Sequence, residues 1–395
     1  MKSLIRVIVV AALASLGCGS GSGSGGTGGA VGTGGATGGS TGTGGSGTGG
    51  TTGSGGTTAT GGAAGSVASG TGGSSAAGAP GTGGSTSGGG HGGAGGSGTT
   101  GGGGTAGAAS GPVTPTQESG ANNNLYRLAF GDVVMEIDAS TGGRVSSLSL
   151  SGTDLMVPPA SDATTWGSVF WPSPRSAWTP DTWPPPAAID NDPYTAMISG
   201  NDLILTGMTD SSMGIGMVKD YSADASGWIT INYTIKSTKG QKEAPWEVTR
   251  VQRGGMVFFP TSSSSSVMAG PLTVTQSNGI VWFDDSSKTA TSTNGAKLIA
   301  DGAMGWDAYV LGSNLFLKKF TDTPASAAAP GEGEICIYPG ATWIEYEVEG
   351  PYTQIAANGT LPWKMQWKVV KIPSSVTIAV GSSSLVTFAE QQAAM

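Results

Sequence analysis

Histidine is almost absent from this sequence: the single one, His91, stands in a stretch of glycine, serine and threonine. The part that can fold therefore has no histidine for a Ser-His-Asp or Cys-His system, or for a zinc site. Cysteine is nearly as rare, and Cys336 is the only thiol of that part, so no disulfide can form within it. Since EF-hand and phosphate-binding loops are also missing, we expect no metal and no cofactor.

Charged residues are few as well, at 11% of the chain. From Ser119 onward there are 16 Lys and Arg against 25 Asp and Glu, and no basic stripe. An acidic domain of this kind argues against nucleic acid and against an anionic lipid surface as partners.

The first residues predict export. Lys2 and Arg6 precede a short apolar run that ends in SLGC, with Cys18 last, and this run is too short to span a membrane. The ending resembles the lipobox of bacterial lipoproteins, which implies acylation of Cys18, and Gly19 rather than Asp after it implies outer-membrane sorting. Residues 1–18 are thus interpreted as a lipoprotein signal, with plain signal-peptidase cleavage and secretion as the alternative.

Residues 19–118 are almost entirely Gly, Ser, Thr and Ala, and such a segment cannot bury enough apolar surface to offset its ordering entropy. We expect a disordered tether with a reach of roughly 55 Å. Residues 119–395 are then one folded domain, which the lipid anchor would hold at the outer membrane or cell surface.

Alternating apolar and polar residues recur throughout 119–395, whereas no stretch keeps a helical apolar period for three turns. The pattern predicts an all-β domain with about fourteen strands, which is typical of a large antiparallel β-sandwich. Gly200-Asn201 and Gly312-Ser313 are predicted to be hairpin turns.

Residues 166–194 contain seven Pro and four Trp. Because each proline removes a backbone donor, the segment is predicted to be a long ordered loop and not a central strand. Such loops commonly form lids or binding walls, although these tryptophans could equally plug one end of the sandwich. Asp190 and Asp192 are interpreted as a turn before Pro193, because two acids and an Asn are too few for a calcium site.

WIEYEVEG (343–350) carries acids at every second position, so Glu345, Glu347 and Glu349 share one face of a strand. On these residues alone the face could be a solvated outer surface or one wall of a cleft.

Three segments resemble the galactose mutarotase-like (aldose 1-epimerase-like) superfamily. They are DVVMEIDASTGGRVSSLSLSGTDLM (132–156), APWEVTRVQRGGMVFFP (244–260) and WIEYEVEGPYTQIAANGTLPWKMQWKVVKIP (343–373). The resemblance implies an antiparallel supersandwich that binds sugars on a concave face. It also places Glu347 at the position of the catalytic Glu of aldose epimerases.

The sequence departs from that family because the epimerases pair the Glu with a His acid, and this domain has none. Carbohydrate binding without established turnover is therefore the leading hypothesis. Flat aromatic faces pack on sugar rings and charged groups bond to hydroxyls, so the predicted substrate-binding residues are Arg144, Trp171, Arg175, Trp178, Arg250 and Trp343. The alternatives are an epimerase-like or other carbohydrate-active enzyme using Glu347 with a non-His acid, and a structural lipoprotein of the cell envelope.

Overall fold

The computed structural model describes residues 111–120, 123–289 and 297–395. The predicted signal with Cys18, and nearly all of the predicted tether, lie outside these ranges. The first half of the described chain contains β1 (Thr116–Gln117), β2 (Leu125–Phe130), β3 (Val133–Asp138), β4 (Arg144–Leu150), β5 (Thr153–Asp154), β6 (Ser168–Ser173), β7 (Thr195–Ser199), β8 (Asp202–Thr206), β9 (Ile215–Ala223), β10 (Trp228–Ser237) and β11 (Lys242–Gln252).

The second half contains β12 (Met256–Pro260), β13 (Val267–Met268), β14 (Thr275–Ser277), β15 (Ile280–Asp284), β16 (Leu298–Ala300), β17 (Trp306–Leu311), β18 (Asn314–Lys319), β19 (Ile335–Pro339), β20 (Trp343–Glu349), β21 (Thr353–Gln354) and β22 (Gly359–Lys371). Two α-helices are described, α1 (Ala187–Asp190) and α2 (Ser383–Ala394). Neither of these helices has the length and apolarity needed to cross a membrane.

The strands form two antiparallel sheets. Sheet I has twelve strands in the order β1-β2-β3-β4-β6-β11-β20-β19-β16-β13, with β5 added on β4 and β21 on β11. Sheet II has ten strands in the order β14-β15-β12-β17-β18-β22-β10-β9-β8-β7. Aromatic rings join the sheets: Phe170 of sheet I stacks on Tyr233 of sheet II at 4.1 Å between ring centroids. The predicted all-β fold, a large antiparallel sandwich, is confirmed.

Both predicted hairpins are present. Gly200-Asn201 joins β7 to β8, and Gly312-Ser313 joins β17 to β18. Gly200 has a φ of 64° and Gly312 a φ of 59°, which is the left-handed region that a tight hairpin turn requires and that glycine enters without steric cost.

Strand β9 was not among the predicted strands, because a lysine occupies an inward position of its alternation. Lys219 is 1% exposed. Its ammonium group donates to the backbone carbonyl oxygens of Gly142 at 2.8 Å and Gly143 at 3.1 Å. Burial nevertheless lowers the pKa of Lys219 to about 7. The strand thus depends on a polar contact between the sheets that the periodicity of the sequence does not show.

Strand β6 corrects the prediction that residues 166–194 contain no central strand. It lies between β4 and β11 in sheet I, and all six of its residues are buried. Pro172 is tolerated because it stands directly opposite Pro245 of β11, and because β4 pairs with β6 only at Ser168, so no neighbouring strand requires the missing N–H. After Ser173 the loop prediction holds except for the short helix α1 (Ala187–Asp190).

Helix α2 was also not predicted. Its buried stripe consists of Leu385, Ala389 and Ala393, and two of these three side chains are too small to give a clear apolar period. The Ser382 hydroxyl caps the first turn by accepting from the Leu385 N–H at 3.2 Å. The helix packs on an apolar cluster of sheet II that includes the rings of Trp228, Phe258, Trp282 and Trp306.

A charged pair lies in the core between the sheets. Lys318 of β18 and Glu247 of β11 have fully buried side chains, and the Lys318 Nζ lies 2.6 Å from a Glu247 oxygen. The same ammonium donates to the Tyr346 carbonyl oxygen at 2.7 Å, and the Ser168 hydroxyl donates to the other Glu247 oxygen at 2.6 Å. Each charge therefore has the partners that make its burial tolerable.

We expect Lys318→Met to destabilise the protein by about 3–5 kcal/mol, because the substitution leaves the buried Glu247 charge uncompensated. The double variant Lys318→Met, Glu247→Leu should recover much of that loss. Urea unfolding followed by tryptophan fluorescence measures both. Lys236→Met at an exposed position is the control, with an expected change below about 0.5 kcal/mol. If the Lys318 variant had the same free energy of unfolding as the control, the buried pair would not stabilise the fold.

Candidate functional site

The three acids of β20 lie on one face of sheet I, and none of them is exposed. Glu345, Glu347 and Glu349 are 2%, 1% and 3% exposed. The interpretation of these acids as a solvated outer surface is therefore wrong. We call this side of sheet I, with the residues of neighbouring strands that point the same way, the acid face.

Strand register brings aromatic and basic residues onto the acid face. In the β11–β20 pair, Trp246 stands opposite Glu349 and Arg250 opposite Glu345. In the β6–β11 pair, Trp171 stands opposite Trp246. Since residues directly opposite each other in an antiparallel pair point to the same side, all five side chains share the face.

Glu345 is held by an arginine. The Arg250 Nε donates to Glu345 Oε1 at 3.1 Å, and the Nη2 lies 3.1 Å from the same oxygen. The guanidinium carbon also lies 5.2 Å from the centre of the Trp171 ring. Burial raises the pKa of Glu345 to about 8, and the charge of Arg250 opposes that rise only in part.

Glu347 has one satisfied oxygen and one orphaned oxygen. The Trp246 indole N–H donates to Glu347 Oε2 at 2.8 Å. Glu347 Oε1 is buried without a hydrogen-bond partner among the described residues, and so is Nη1 of Arg250. A buried acceptor and a buried donor left in this way cost free energy. Polar groups of a ligand that reached them would be stabilised.

Glu349 completes the acid face without a cation of its own. Burial raises its pKa well above the ordinary value, the neighbouring carboxylates of Glu332 and Glu347 raise it further, and the Ser173 hydroxyl opposes the rise. No ion pair between described residues includes Glu347 or Glu349. The face therefore carries more carboxyl groups than paired cations.

A second ion pair lies beside the first. The Arg144 Nη2 is 3.0 Å from Asp190 Oδ1, which also accepts from the Trp171 indole N–H at 2.9 Å. The Arg144 guanidinium stacks 4.5 Å from the ring centre of Trp166. Burial, with a smaller contribution from the charge of Arg250, lowers the pKa of Arg144 to about 10, and Asp190 opposes the change.

Asp190 is the residue that sequence reasoning missed. Its interpretation as a turn residue is wrong, because its carboxylate bonds to Arg144 and Trp171, and it ends helix α1. The sequence offered no signal for this role, since 46 positions separate Asp190 from Arg144.

Four indole rings pack together over the acid face, and we call them the Trp cluster: Trp171, Trp178, Trp183 and Trp246. Trp171 meets Trp183 and Trp246 edge-on at 5.0 Å and 5.4 Å between ring centroids. Trp178 and Trp183 stack with an interplanar angle of 18°. Three of the rings are buried, whereas Trp183 is only partly covered. The cluster joins sheet I to the loop that follows β6.

That loop, residues 174–186, carries Trp178 and Trp183, whose rings pack on Trp171 and Trp246 of the acid face, and we call it the strap. Its backbone N–H groups that donate do so within the strap, as from Ala177 to Pro174 and from Thr182 to Pro180. In the described chain, a hydrogen bond from the Ser212 hydroxyl to the Thr179 carbonyl ties it to a distant residue. The strap is thus held mainly by the rings of Trp178 and Trp183 and by the Trp178 indole N–H, which donates to the Pro172 carbonyl of β6 at 2.9 Å. Few backbone hydrogen bonds oppose its displacement.

The structure brings most of the predicted site residues together. Glu347, Arg250, Arg144, Trp171 and Trp178 all belong to the acid face or the Trp cluster. Their roles in binding and catalysis stay predictions, because a residue's position does not assign its role.

Two predicted residues lie at the margin. Arg175 is on the strap, partly exposed, 3.5 Å from Asp181 and 5.6 Å from the ring centre of Trp183. Trp343 begins β20, is half-buried, and packs against Tyr338 at 5.7 Å between ring centroids. Neither residue contacts Glu347 directly through a described hydrogen bond.

No protein-family model matches the sequence, and no curated protein matches it. Similarity is found among solved structures. Several of these are galactose mutarotase-like proteins. One is from Lactobacillus casei (12% identity, 62% of this chain, 100% of that chain, TM-score 0.45). Another is from Clostridium acetobutylicum (10% identity, 66% of this chain, 99% of that chain, TM-score 0.40).

A galactose 1-epimerase from Lactobacillus acidophilus is similar at 10% identity, over 66% of this chain and 99% of that chain, with a TM-score of 0.42. The descriptions of these structures name the same kind of protein as the resemblance in the sequence. At such identities and scores the likeness carries nothing about residues or activity.

We expect backbone amides of the strap, such as those of Ala177, Trp178 and Thr182, to exchange with solvent about a hundredfold or more faster than amides of β11 and β20. The reason is that the strap has few hydrogen bonds to the sheet. Hydrogen-exchange mass spectrometry measures this, with the exposed Gly200-Asn201 turn as the fast reference. Strap amides that exchange only as slowly as the central strands would show that the strap opens solely by global unfolding.

Proposed function

We propose that this protein is an exported, lipid-anchored carbohydrate-binding protein whose ligand lies on the acid face beneath the strap. The observation that carries the proposal is the pair of orphaned buried groups, Glu347 Oε1 and Arg250 Nη1, beside the Trp cluster. One is a hydrogen-bond acceptor and the other a donor.

A sugar supplies the hydrogen-bond partners that Glu347 Oε1 and Arg250 Nη1 lack among the described residues. Each hydroxyl both donates and accepts, so neighbouring hydroxyls can satisfy Glu347 Oε1 and Arg250 Nη1 together. The C–H faces of a sugar ring are apolar and pack against indole rings, of which the Trp cluster supplies several. The existing contacts of Arg250 with Glu345, and of Trp246 with Glu347, hold the two orphaned groups in fixed positions before a ligand arrives.

Glu347 is 1% exposed, so a ligand reaches it only if a covering group moves. The strap is the candidate cover, because its Trp178 ring packs on Trp246, whose indole bonds to Glu347. The weak attachment of the strap supports such movement. When it lifts, Trp178 and Trp183 leave the face with it, while Trp171 and Trp246 remain on sheet I. A sugar would then take the place of the strap rings, or be covered by them once the strap returns.

We expect Arg250→Lys to weaken sugar binding about tenfold. Lysine can keep the charge pairing with Glu345 but lacks the planar group that presents Nη1, and a hydrogen bond from a charged group contributes about 1.5–3 kcal/mol. A glycan array identifies a ligand for the wild type, and isothermal titration with that sugar measures the variant. Arg127→Lys on β2, away from the Trp cluster, is the matched control.

Folded wild-type protein that binds no sugar at concentrations near about a millimolar would overturn this proposal. The Trp cluster would then serve only to pack the strap against sheet I, which agrees with the alternative of a structural envelope protein.

The anchoring part of the proposal rests on the sequence from Lys2 to Cys18 and on the composition of the segment after it. We expect Cys18→Ala to move the protein from the membrane fraction to the soluble fraction, because a covalent acyl chain supplies the membrane affinity. Fractionation with fatty-acid labelling measures both location and acylation. A wild-type protein that takes up no label, and is released as the variant is, would contradict acylation at Cys18.

A further inference from the structure

The carboxyl groups of the acid face outnumber the cations that pair with them. Arg144 is matched by Asp190 and Arg250 by Glu345. Glu347 and Glu349 have no ion pair in the described chain, and both are almost fully buried. A carboxylate removed from water without a cation is unfavourable, so an unpaired acid of this face either holds a proton or receives a cation.

The two unmatched carboxyls can share one cation. Glu347 and Glu349 are alternate residues of β20, so their Cα atoms are about 6.6 Å apart and their side chains point the same way. An ammonium group is compact and has three N–H donors, which suits two carboxyls and the orphaned Glu347 Oε1.

The hydrogen bond from Trp246 leaves the charge of Glu347 without a cation. Trp246 stands opposite Glu349 in the strand register and donates its N–H to Glu347. A neutral indole N–H satisfies one carboxylate oxygen but brings no positive charge. Within the described chain, Glu347 and Glu349 therefore still lack a cation, and a cationic group would supply it.

We propose that the ligand of the acid face is an amino sugar with a free amino group, whose ammonium lies between Glu347 and Glu349. This inference rests on the proposed carbohydrate-binding function and names the class of sugar. A sugar acid is disfavoured by the same carboxyls, since like charges repel strongly in a buried site. An N-acetylated amino sugar lacks the charge that the face demands.

The raised pKa of Glu349 agrees with this assignment. Burial raises the pKa of Glu349, and also that of Glu345. A bound ammonium would favour the ionised carboxylate of Glu349, so binding of a cationic sugar is expected to release a proton to the solvent.

The experiment uses isothermal titration to compare three β-linked oligosaccharides of equal length. Their units are glucosamine, N-acetylglucosamine and glucose. At about pH 6 the free amine is charged. We expect the wild type to bind the glucosamine oligosaccharide at least about tenfold more tightly than the other two. Glu347→Gln keeps an oxygen to accept from the Trp246 N–H but removes the charge, so it should abolish the preference for the amine.

Glu118→Gln, at an exposed position, is the control and should keep the preference. If Glu347→Gln does not fold, as judged by its thermal transition, the wild-type ranking of the three sugars decides alone. Equal or tighter binding of the glucose or N-acetylglucosamine oligosaccharide overturns the amino-sugar inference but leaves carbohydrate binding in place. Binding of none of the three, nor of any sugar on the array, overturns both.

Discussion

Strand β20 lies in the middle of a sheet that is covered on both faces, and the rest of the site depends on that constraint. Its inward side chains, Ile344, Tyr346 and Val348, enter the core between the sheets. Three of its four outward side chains are glutamates, which are equally buried. The side chains of a strand alternate between two faces, and both faces of β20 are buried. The acids can therefore be buried only where partners compensate them.

The partners come from neighbouring strands and from the strap. Arg250 compensates Glu345, the Trp246 N–H compensates one oxygen of Glu347, and the Trp cluster packs beside these two contacts. Aromatic packing rather than backbone bonding holds the strap in place. A cover of this kind protects buried charge while remaining separable from the sheet, which is the property that a ligand site beneath it needs.

Most strands were predictable because their apolar residues alternate and their turns contain glycine, as in the Gly200-Asn201 hairpin. The longer exceptions have specific causes. Strand β9 has Lys219 at an inward position, where it bonds to Gly142 and Gly143. Strand β6 contains Pro172, which is tolerated because it stands opposite Pro245 and because β4 pairs with β6 only at Ser168. Helix α2 buries alanines, whose side chains give little periodic signal. The two strands thus depend on residues far away in the sequence.

The sequence by itself determined that Glu345, Glu347 and Glu349 share one side of a strand, and that Trp246 and Glu247 do not. It could do so because side-chain alternation is a local property of an extended backbone. Only the tertiary structure decided that this side is buried and that Asp190 pairs with Arg144. The same is true of the strap, whose rings pack on Trp171 and Trp246. These contacts join segments that lie tens of residues apart in the sequence. They are selected by the packing of whole sheets and loops, and a local apolar period carries no information about that packing.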